Sequence, residues 1–295
     1  MTKTTSSLRR RPAPRVPSVP TGRSPRLALS PARARTRAWR RWVSTEPVLG
    51  TVCSIQLIRG PEEERSRFDD AARRCWTELH EIERHFSPWL EDSDIRRLAR
   101  SEIKLRRTDR RVREVEALCQ DALERTDGLF DAWREGWFDP TGLVRGWAAD
   151  RVAEHYLAPL LKQLGASAVG LNVGGDLRLF TAATSAWRWR VGLTDPTRPD
   201  NFIATVELLD GAVATSGLAE RGERVIDPRT GLTATTVASA TVMADRLTEA
   251  DLWATTAVAS GFDDLSWITR AQTRSGLLIA PDGAVRRWIG QVALS

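Results

Sequence analysis

The chain has 295 residues, 41% hydrophobic and 28% charged, the balance of a soluble globular body rather than of a collagen-like, disordered or membrane-embedded chain. A formal net charge of +6 points toward nucleic acid until the charge is located: Lys3 and eleven arginines, with no acid, lie in residues 1–42, so residues 43–295 carry 32 basic against 38 acidic side chains. A mildly acidic body argues against a nucleic-acid partner, and no apolar run is long enough to cross a bilayer.

Residues 1–42 are rich in Arg, Pro and Ser, have little to bury, and are expected to form a disordered basic tail. Neither a continuous apolar stretch nor a lipidation cysteine follows the paired arginines, so no secretion signal is expected and a cytoplasmic location is the default. Residues 43–295 show no repeat and no linker, and are expected to form a single domain. "VLGTVCSIQLI" (48–58) alternates as a strand does. Phe68, Ala72, Cys75 or Trp76, Leu79, Ile82 and Phe86 recur at helical spacing, predicting a helix over 66–86. A loop then leads to a short helix with Ser93 as its N-cap. A second amphipathic helix, "DRRVREVEALCQDALERTDGLF", is expected to end with Gly128 as C′. A third starts near Arg145 and ends at Gly165. Strands and tight turns follow in "AVGLNVGGDLRLF", "WRWRVGLTD", "FIATVELLDGAVATSG" and "ERVIDPRTG". "TEADLWATTAVAS" is a further helix, and "GLLIAPDGAVRRWIG" a hairpin about Asp282-Gly283. The order of elements predicts an α+β fold, with mixed or antiparallel sheets and packed helices.

Three cysteines (Cys53, Cys75, Cys119) without a CxxC support neither a disulfide framework nor a zinc site. His80, His85 and His155 lie on predicted helices away from every turn motif, and neither a P-loop nor a GxGxxG after a strand is present. Asp251 and Thr255 are i and i+4 on one helix face, a hard-oxygen pair suited to Mg²⁺; a solvated polar face has the same spacing. Arg145 follows the Pro-Thr-Gly corner of "FDPTGLVRGWAAD" (138–150), at the mouth of the third helix. A bound anion and an ordinary solvated arginine both satisfy that position. The "GGD" of 174–176 suits either a tight turn or a close approach of ligand to backbone. Of twelve tryptophans, Trp89, Trp133, Trp137 and Trp147 lie near turns, where one or two would fit a flat ring ligand.

Taken in order, "LGTVCSI" (49–55), "FSPWLEDSDIRRL" (86–98), "TDGLFD" (126–131), "DPTGLVRGWAAD" (139–150), "LNVGGDL" (171–177), "WRVGLTDP" (189–196), "AVATSGLAERG" (212–222), "VIDPRTG" (225–231) and "ADLWATTAVASG" (250–261) resemble the ApbE family, the FAD:protein FMN transferases. The resemblance implies an ApbE-like flavin-binding fold. It also implies a Mg²⁺-dependent reaction in which FMN passes from FAD to a Thr or Ser hydroxyl of an acceptor protein and AMP leaves. Residue by residue, it places Leu49, Trp89, Leu129, Phe130, Asp131, Asp139, Arg145 and Val225 at the flavin nucleotide. It gives the metal to the Gly142 carbonyl, Asp251 and Thr255. Three positions depart from the family pattern: Arg145 replaces a Lys, Arg224 replaces the His one residue before "VIDP", and Ala99 replaces an Asn. An arginine keeps the charge but cannot take a proton at neutral pH, so no catalytic base is assigned. The departures open two other readings: an FAD-binding or scavenging protein without transfer, and an FAD pyrophosphatase giving FMN and AMP.

Overall fold

The first element among the described residues is a hairpin rather than one strand. In this computed structural model, which describes residues 40–217 and 225–294, β1 (Arg41–Val48) and β2 (Thr51–Ile58) pair antiparallel across Leu49 and Gly50. Both turn residues are left-handed (φ 57° and 68°), as a two-residue type I′ turn requires. The single strand expected over 48–58 is therefore corrected: a turn sits inside it, disguised because Leu occupies the first left-handed position. Arg41 and Trp42, assigned to the tail by composition, already belong to β1, and Trp42 is buried. Residues 1–39 lie outside the described residues.

Five helices follow: α1 (Arg65–Phe86), α2 (Asp94–Ala99), α3 (Arg110–Arg125), α4 (Thr141–Val152) and α5 (Ala158–Gln163). The apolar stripe read from spacing on α1, Phe68 through Phe86, is buried as expected. Ser93 caps α2, accepting from the Arg96 amide at 3.3 Å. At the end of α3 the expected cap moves by one residue. Asp127 takes the left-handed C′ position (φ 56°), and the Gly128 amide reaches back to the Leu123 carbonyl at 2.9 Å. An Asp tolerates that conformation better than most side chains do, so Gly128 becomes C″.

The third predicted helix starts four residues earlier than expected. The Asp139 carboxylate accepts from the Thr141 amide at 3.0 Å, and α4 begins there. Between α4 and α5, Ala153–Leu157 widen into a π turn. Pro159 lacks an amide and crowds the preceding turn, so the regular ladder cannot continue through it.

The remaining strands are β3 (Ala168–Val173), β4 (Asp176–Thr181), β5 (Trp189–Asp195), β6 (Arg198–Leu208), β7 (Gly211–Gly217), β8 (Ile226–Asp227), β9 (Leu232–Thr233), β10 (Ser239–Ala244), β11 (Thr273–Ile279), β12 (Val285–Ile289) and β13 (Val292–Leu294). The helix α6 (Leu247–Ser260) joins β10 to β11. Nine strands form one sheet in the order β1-β2-β3-β4-β7-β10-β11-β12-β13, with every pairing antiparallel. β5 and β6 form a separate ribbon, as do β8 and β9.

Alternation along the strands gives the sheet two buried faces. Ala240, Val242 and Ala244 of β10 join the main core with α1, α3, α4 and α6, while Met243 joins a second core with Leu177, Leu179 and the β5 residues Trp189, Val191 and Leu193. Helices thus cover one face and the β5–β6 ribbon part of the other. The fold is α+β. Among the described residues no helix is long and apolar enough to cross a membrane. Cys53, Cys75 and Cys119 are buried free thiols, and burial pushes Cys75 and Cys119 well above the ordinary thiol range.

Candidate functional site

α6 is the most deeply buried helix of the fold, and the sequence explains why it can be. Ala250, Ala254, Ala257 and Ala259 are small enough to let the sheet and α4 approach it closely. The tightest approach is at Gly146 of α4. A Cβ built there would stand 2.8 Å from the Leu247 carbonyl oxygen and 2.9 Å from the Thr248 Cα. Only a glycine fits, because both neighbours are backbone.

One helical turn along α4, Asp150 is fully buried (0% exposed) and serves as the N-cap that α6 lacks in its own sequence. Its carboxylate accepts from the Leu247 amide (2.9 Å), the Thr248 amide (2.8 Å) and the Thr248 hydroxyl (2.6 Å). The charge is matched by Arg178 of β4, whose Nε lies 2.9 Å from Oδ1 and whose guanidinium also reaches the Gly211 carbonyl at 3.1 Å. Neither residue was singled out from sequence. The available signal was the only acid within "GWAADRVA" and the only base within "DLRLF", each flanked by apolar residues on its buried side.

α6 carries the predicted oxygen pair. Asp251 is 3% exposed, and the half-buried Thr255 has its hydroxyl 3.3 Å from that of Ser216 on β7. The solvated-face reading of this pair is thereby excluded. Next to Ser216, the Thr215 amide donates to the Asp176 carboxylate at 3.1 Å, and the Thr215 hydroxyl lies 3.0 Å from that of Thr241. Asp176 closes the "GGD" turn, whose Gly174 is left-handed (φ 63°) and pressed on the β1–β2 turn, where a Cβ would meet Thr51 Oγ1 at 2.7 Å. Leu49 lies in that neighbouring turn, half-buried against the main core. Antiparallel registry accounts for the gathering: the β1–β2 turn, the β3–β4 turn and the end of β7 all emerge at one end of the sheet.

The start of α4 rests on the "GLFD" segment. Leu129 and Phe130 are buried, and the Phe130 ring lies against Gly142, where a Cβ would stand 3.1 Å from Cε2. Asp131 turns back on its own backbone, accepting from the Trp133 amide at 2.8 Å. Asp139, just ahead of the N-cap Pro140, likewise accepts from the Thr141 amide, so neither carboxylate is fully committed: each has a second oxygen to offer. Because α4 starts at Thr141, Arg145 stands in its second turn and not at its mouth; the helix dipole contributes little there. Arg145 is half-buried, and its Nε is shielded from solvent with no hydrogen-bond partner among the described residues.

At the far end of α6, Arg229 of the "IDPRTG" turn donates to the Ser260 carbonyl at 2.9 Å and to the Ala259 carbonyl at 3.3 Å. The Arg229 guanidinium in turn hydrogen-bonds Asp227 and holds that carboxyl below its usual range. Val225 packs against the main core beside this turn, its carbonyl accepting from the Ala234 amide at 2.9 Å. Arg224 lies outside the described residues.

Trp89 is not gathered with the others; it projects from the α1–α2 loop with 85% of its surface exposed. Trp133 and Trp147 are packed within the protein, against Phe138 and Phe86, and Trp137 lies under the Arg96 guanidinium. Ala99 is the exposed last residue of α2. A cleft of about 760 Å³ opens elsewhere, between α1 and the π turn, lined by paired charges such as Glu78–Arg151 and Arg111–Glu81.

The donor set around α6 fits Mg²⁺ in kind. Asp251, Thr255 and the Gly142 carbonyl offer only hard oxygens. No group of three or more His, Cys, Asp or Glu able to hold a metal exists among the described residues. A cation held by these three groups would have one carboxylate and neutral oxygens, and would fill its shell from an oxygen-rich ligand such as a phosphate.

Comparison with known proteins bears on the family and the fold. The sequence model of the ApbE family matches residues 49–135 and 133–278. An FAD:protein FMN transferase of Treponema pallidum (strain Nichols) is 34% identical over 171 residues, covering 52% of this chain and 46% of that protein. One from Escherichia coli (strain K12) is 29% identical over 164 residues, covering 52% of this chain and 45% of that protein. The matches thus span about half the length of these relatives. The crystal structure of the ApbE protein from Thermotoga maritima superposes with a TM-score of 0.68 at 23% identity, covering 84% of this chain and 97% of that one, and so shares the fold. With the family model matched across most of the described residues, the chain belongs to the ApbE family.

Proposed function

We propose that this chain transfers FMN from FAD to a Thr or Ser hydroxyl of an acceptor protein, in a Mg²⁺-dependent reaction that releases AMP. The hydroxyl oxygen attacks the phosphorus on the FMN side of the diphosphate, a phosphoester bond forms, and the bond to the AMP phosphate breaks. The observation that carries this reading is the pairing of buried Asp251 with Thr255 on a helix pinned to α4, in a chain of the ApbE family. Asp251, Thr255 and the Gly142 carbonyl would hold the metal, which when bound neutralises diphosphate charge and favours departure of AMP. Arg145 contributes a fixed cation for a phosphate oxygen, to which guanidinium binds in bidentate fashion. Leu49, Leu129, Phe130 and Val225 supply apolar surface for the flavin, and Trp89 an aromatic face that closes on it. Asp131 and Asp139 hold polar groups of the nucleotide with the carboxylate oxygen that their own turns leave over.

Mass spectrometry of the chain mixed with FAD, MgCl₂ and a threonine-containing acceptor peptide tests this. The expected result is a peptide carrying covalent FMN with AMP in equal amount, lost in Asp251→Ala. Unchanged labelling in that variant would overturn the metal assignment. Arg145 in place of the family's lysine favours a second reading, FAD binding without transfer. Retained FAD with no AMP marks that case, and free FMN with AMP marks hydrolysis.

A further inference from the structure

We infer that Asp150 is a positioning residue for the metal and diphosphate site. It fastens α4 and α6 together so that the oxygens of one helix face those of the other. The inference rests on the flavin–metal reading above and concerns a residue outside the ligand set.

Gly142, Gly146 and Asp150 recur every four residues on α4, and Leu247, Asp251 and Thr255 every four on α6, so each set forms one stripe on its helix. The two stripes meet where Gly146 touches the Leu247 carbonyl and the Thr248 Cα. Contact alone leaves sliding and rotation to the packing of small residues. Asp150 removes that freedom, because its hydrogen bonds fall on two successive amides and one hydroxyl of a single helix terminus, at 2.6–2.9 Å. Amides at a helix terminus point along its axis, so a carboxylate satisfying two of them sets both the tilt and the rotation of α6. The carboxylate is itself held. Arg178 lies 2.9 Å away, and its guanidinium sits 4.1 Å above the Phe180 ring and reaches Glu154, which also binds Arg246. Arg246 adds a second cation 3.7 Å from Oδ2.

This arrangement is more than α6 needs to be capped. A serine or aspartate at position 246 would cap the Thr248 or Glu249 amide locally; here Arg246 occupies the N-cap without capping, and the cap comes from the helix that bears Gly142 and Arg145. A cap supplied from a second element couples two halves of a site, whereas a local cap stabilises one helix only. The coupling matters for a small octahedral cation, which tolerates little misplacement of its oxygens.

The test is Mg²⁺ titration of FAD binding, followed by flavin fluorescence, in the full chain and its variants, with thermal unfolding in parallel. Asp150→Ala is expected to raise the half-saturating Mg²⁺ concentration at least tenfold while FAD affinity without Mg²⁺ stays within twofold. Asp150→Asn keeps one acceptor oxygen, for either the Leu247 or the Thr248 amide, while its Nδ2 cannot accept, and is expected to recover only part of that loss. Thr248→Val removes only the hydroxyl bond; it covers the case in which Asp150→Ala does not fold and is expected to shift the midpoint two- to fivefold. Ile82→Val, a core change distant from α6, is expected to lower the melting temperature with no shift in the Mg²⁺ midpoint. A normal Mg²⁺ midpoint in Asp150→Ala, or in Thr248→Val if the former is unfolded, would show a purely structural cap and overturn the proposal. A wild-type chain whose FAD binding ignores Mg²⁺ overturns the flavin–metal reading, and this proposal with it.

Discussion

Gly146 on α4 lies against the Leu247 carbonyl at the start of α6, so closely that a Cβ at position 146 would stand 2.8 Å from that oxygen. Alanine is the better helix former by about 1 kcal/mol, which would favour Gly146→Ala in an isolated helix. The clash reverses the sign here, since the neighbouring atoms are backbone and cannot rotate away; overpacking costs about 1–3 kcal/mol. Gly146→Ala is expected to destabilise the chain by about 1–2 kcal/mol net, read from urea unfolding. A neutral or stabilising result would mean that the two helices separate easily.

Arg145 is expected to act through charge and geometry together. Its Nε is buried with no partner among the described residues, and a bound phosphate would supply one. Loss of a charged hydrogen-bonding group costs about 1.5–3 kcal/mol, so Arg145→Ala should weaken FAD binding by roughly ten- to a hundredfold. Arg145→Lys restores the family residue and should keep most of the affinity. Equilibrium titration with FAD measures both, and equal affinity in all three chains would place Arg145 outside the nucleotide site.

The far end of α6 gives a dependence on pH. Hydrogen bonding to Arg229 holds the Asp227 carboxyl below its ordinary value, with burial opposing the shift. A carboxyl depressed in the folded state stabilises the fold above its unfolded value of about 3.9, and that contribution disappears as the pH falls through the lower folded value. Asp227→Asn should therefore be less stable than wild type at pH 6, with the gap closing below about pH 4. Thermal melts across that range check the sign. A gap that widens with acid would contradict it.

Trp267 stands between two other indoles, stacked on Trp253 at 5.8 Å and edge-on to Trp288 at 5.1 Å, and is wholly buried. Trp267→Ala leaves a large void behind α6 and is expected to cost about 3–5 kcal/mol. That corresponds to a fall in melting temperature of roughly 6–20 °C in a chain of this size. Calorimetry measures it, and a smaller fall would show that the three-tryptophan cluster refills the space.

Long periodic segments were legible in the sequence. The stripe of α1, the Ser93 cap and the polar pair on α6 follow from spacing of 3.6 residues per turn, a property of the chain within one element. Short features were not. Leu49 conceals a hairpin turn because only its neighbour is a glycine, and β10, "SATVMA", is small and brief enough to pass for a loop although it lies in the middle of the sheet. The start of α4 lies earlier than the spacing suggests because the Thr-Gly of the Pro-Thr-Gly corner is taken into the first turn of the helix, behind the N-cap Pro140.

By itself the sequence determined the local chemistry: an acid and a hydroxyl on one helix face, an arginine shortly after an Asp-Pro-Thr-Gly corner, and the ordered motifs of a family. Those depend on which residue follows which. Only the tertiary structure decided that Asp150 and Arg178 meet, that Asp150 caps a helix nearly a hundred residues away, and that Trp89 stands apart in solvent. Each of these rests on packing between distant elements, where the register of the sheet and the fit of Gly146 against Leu247 choose the neighbours.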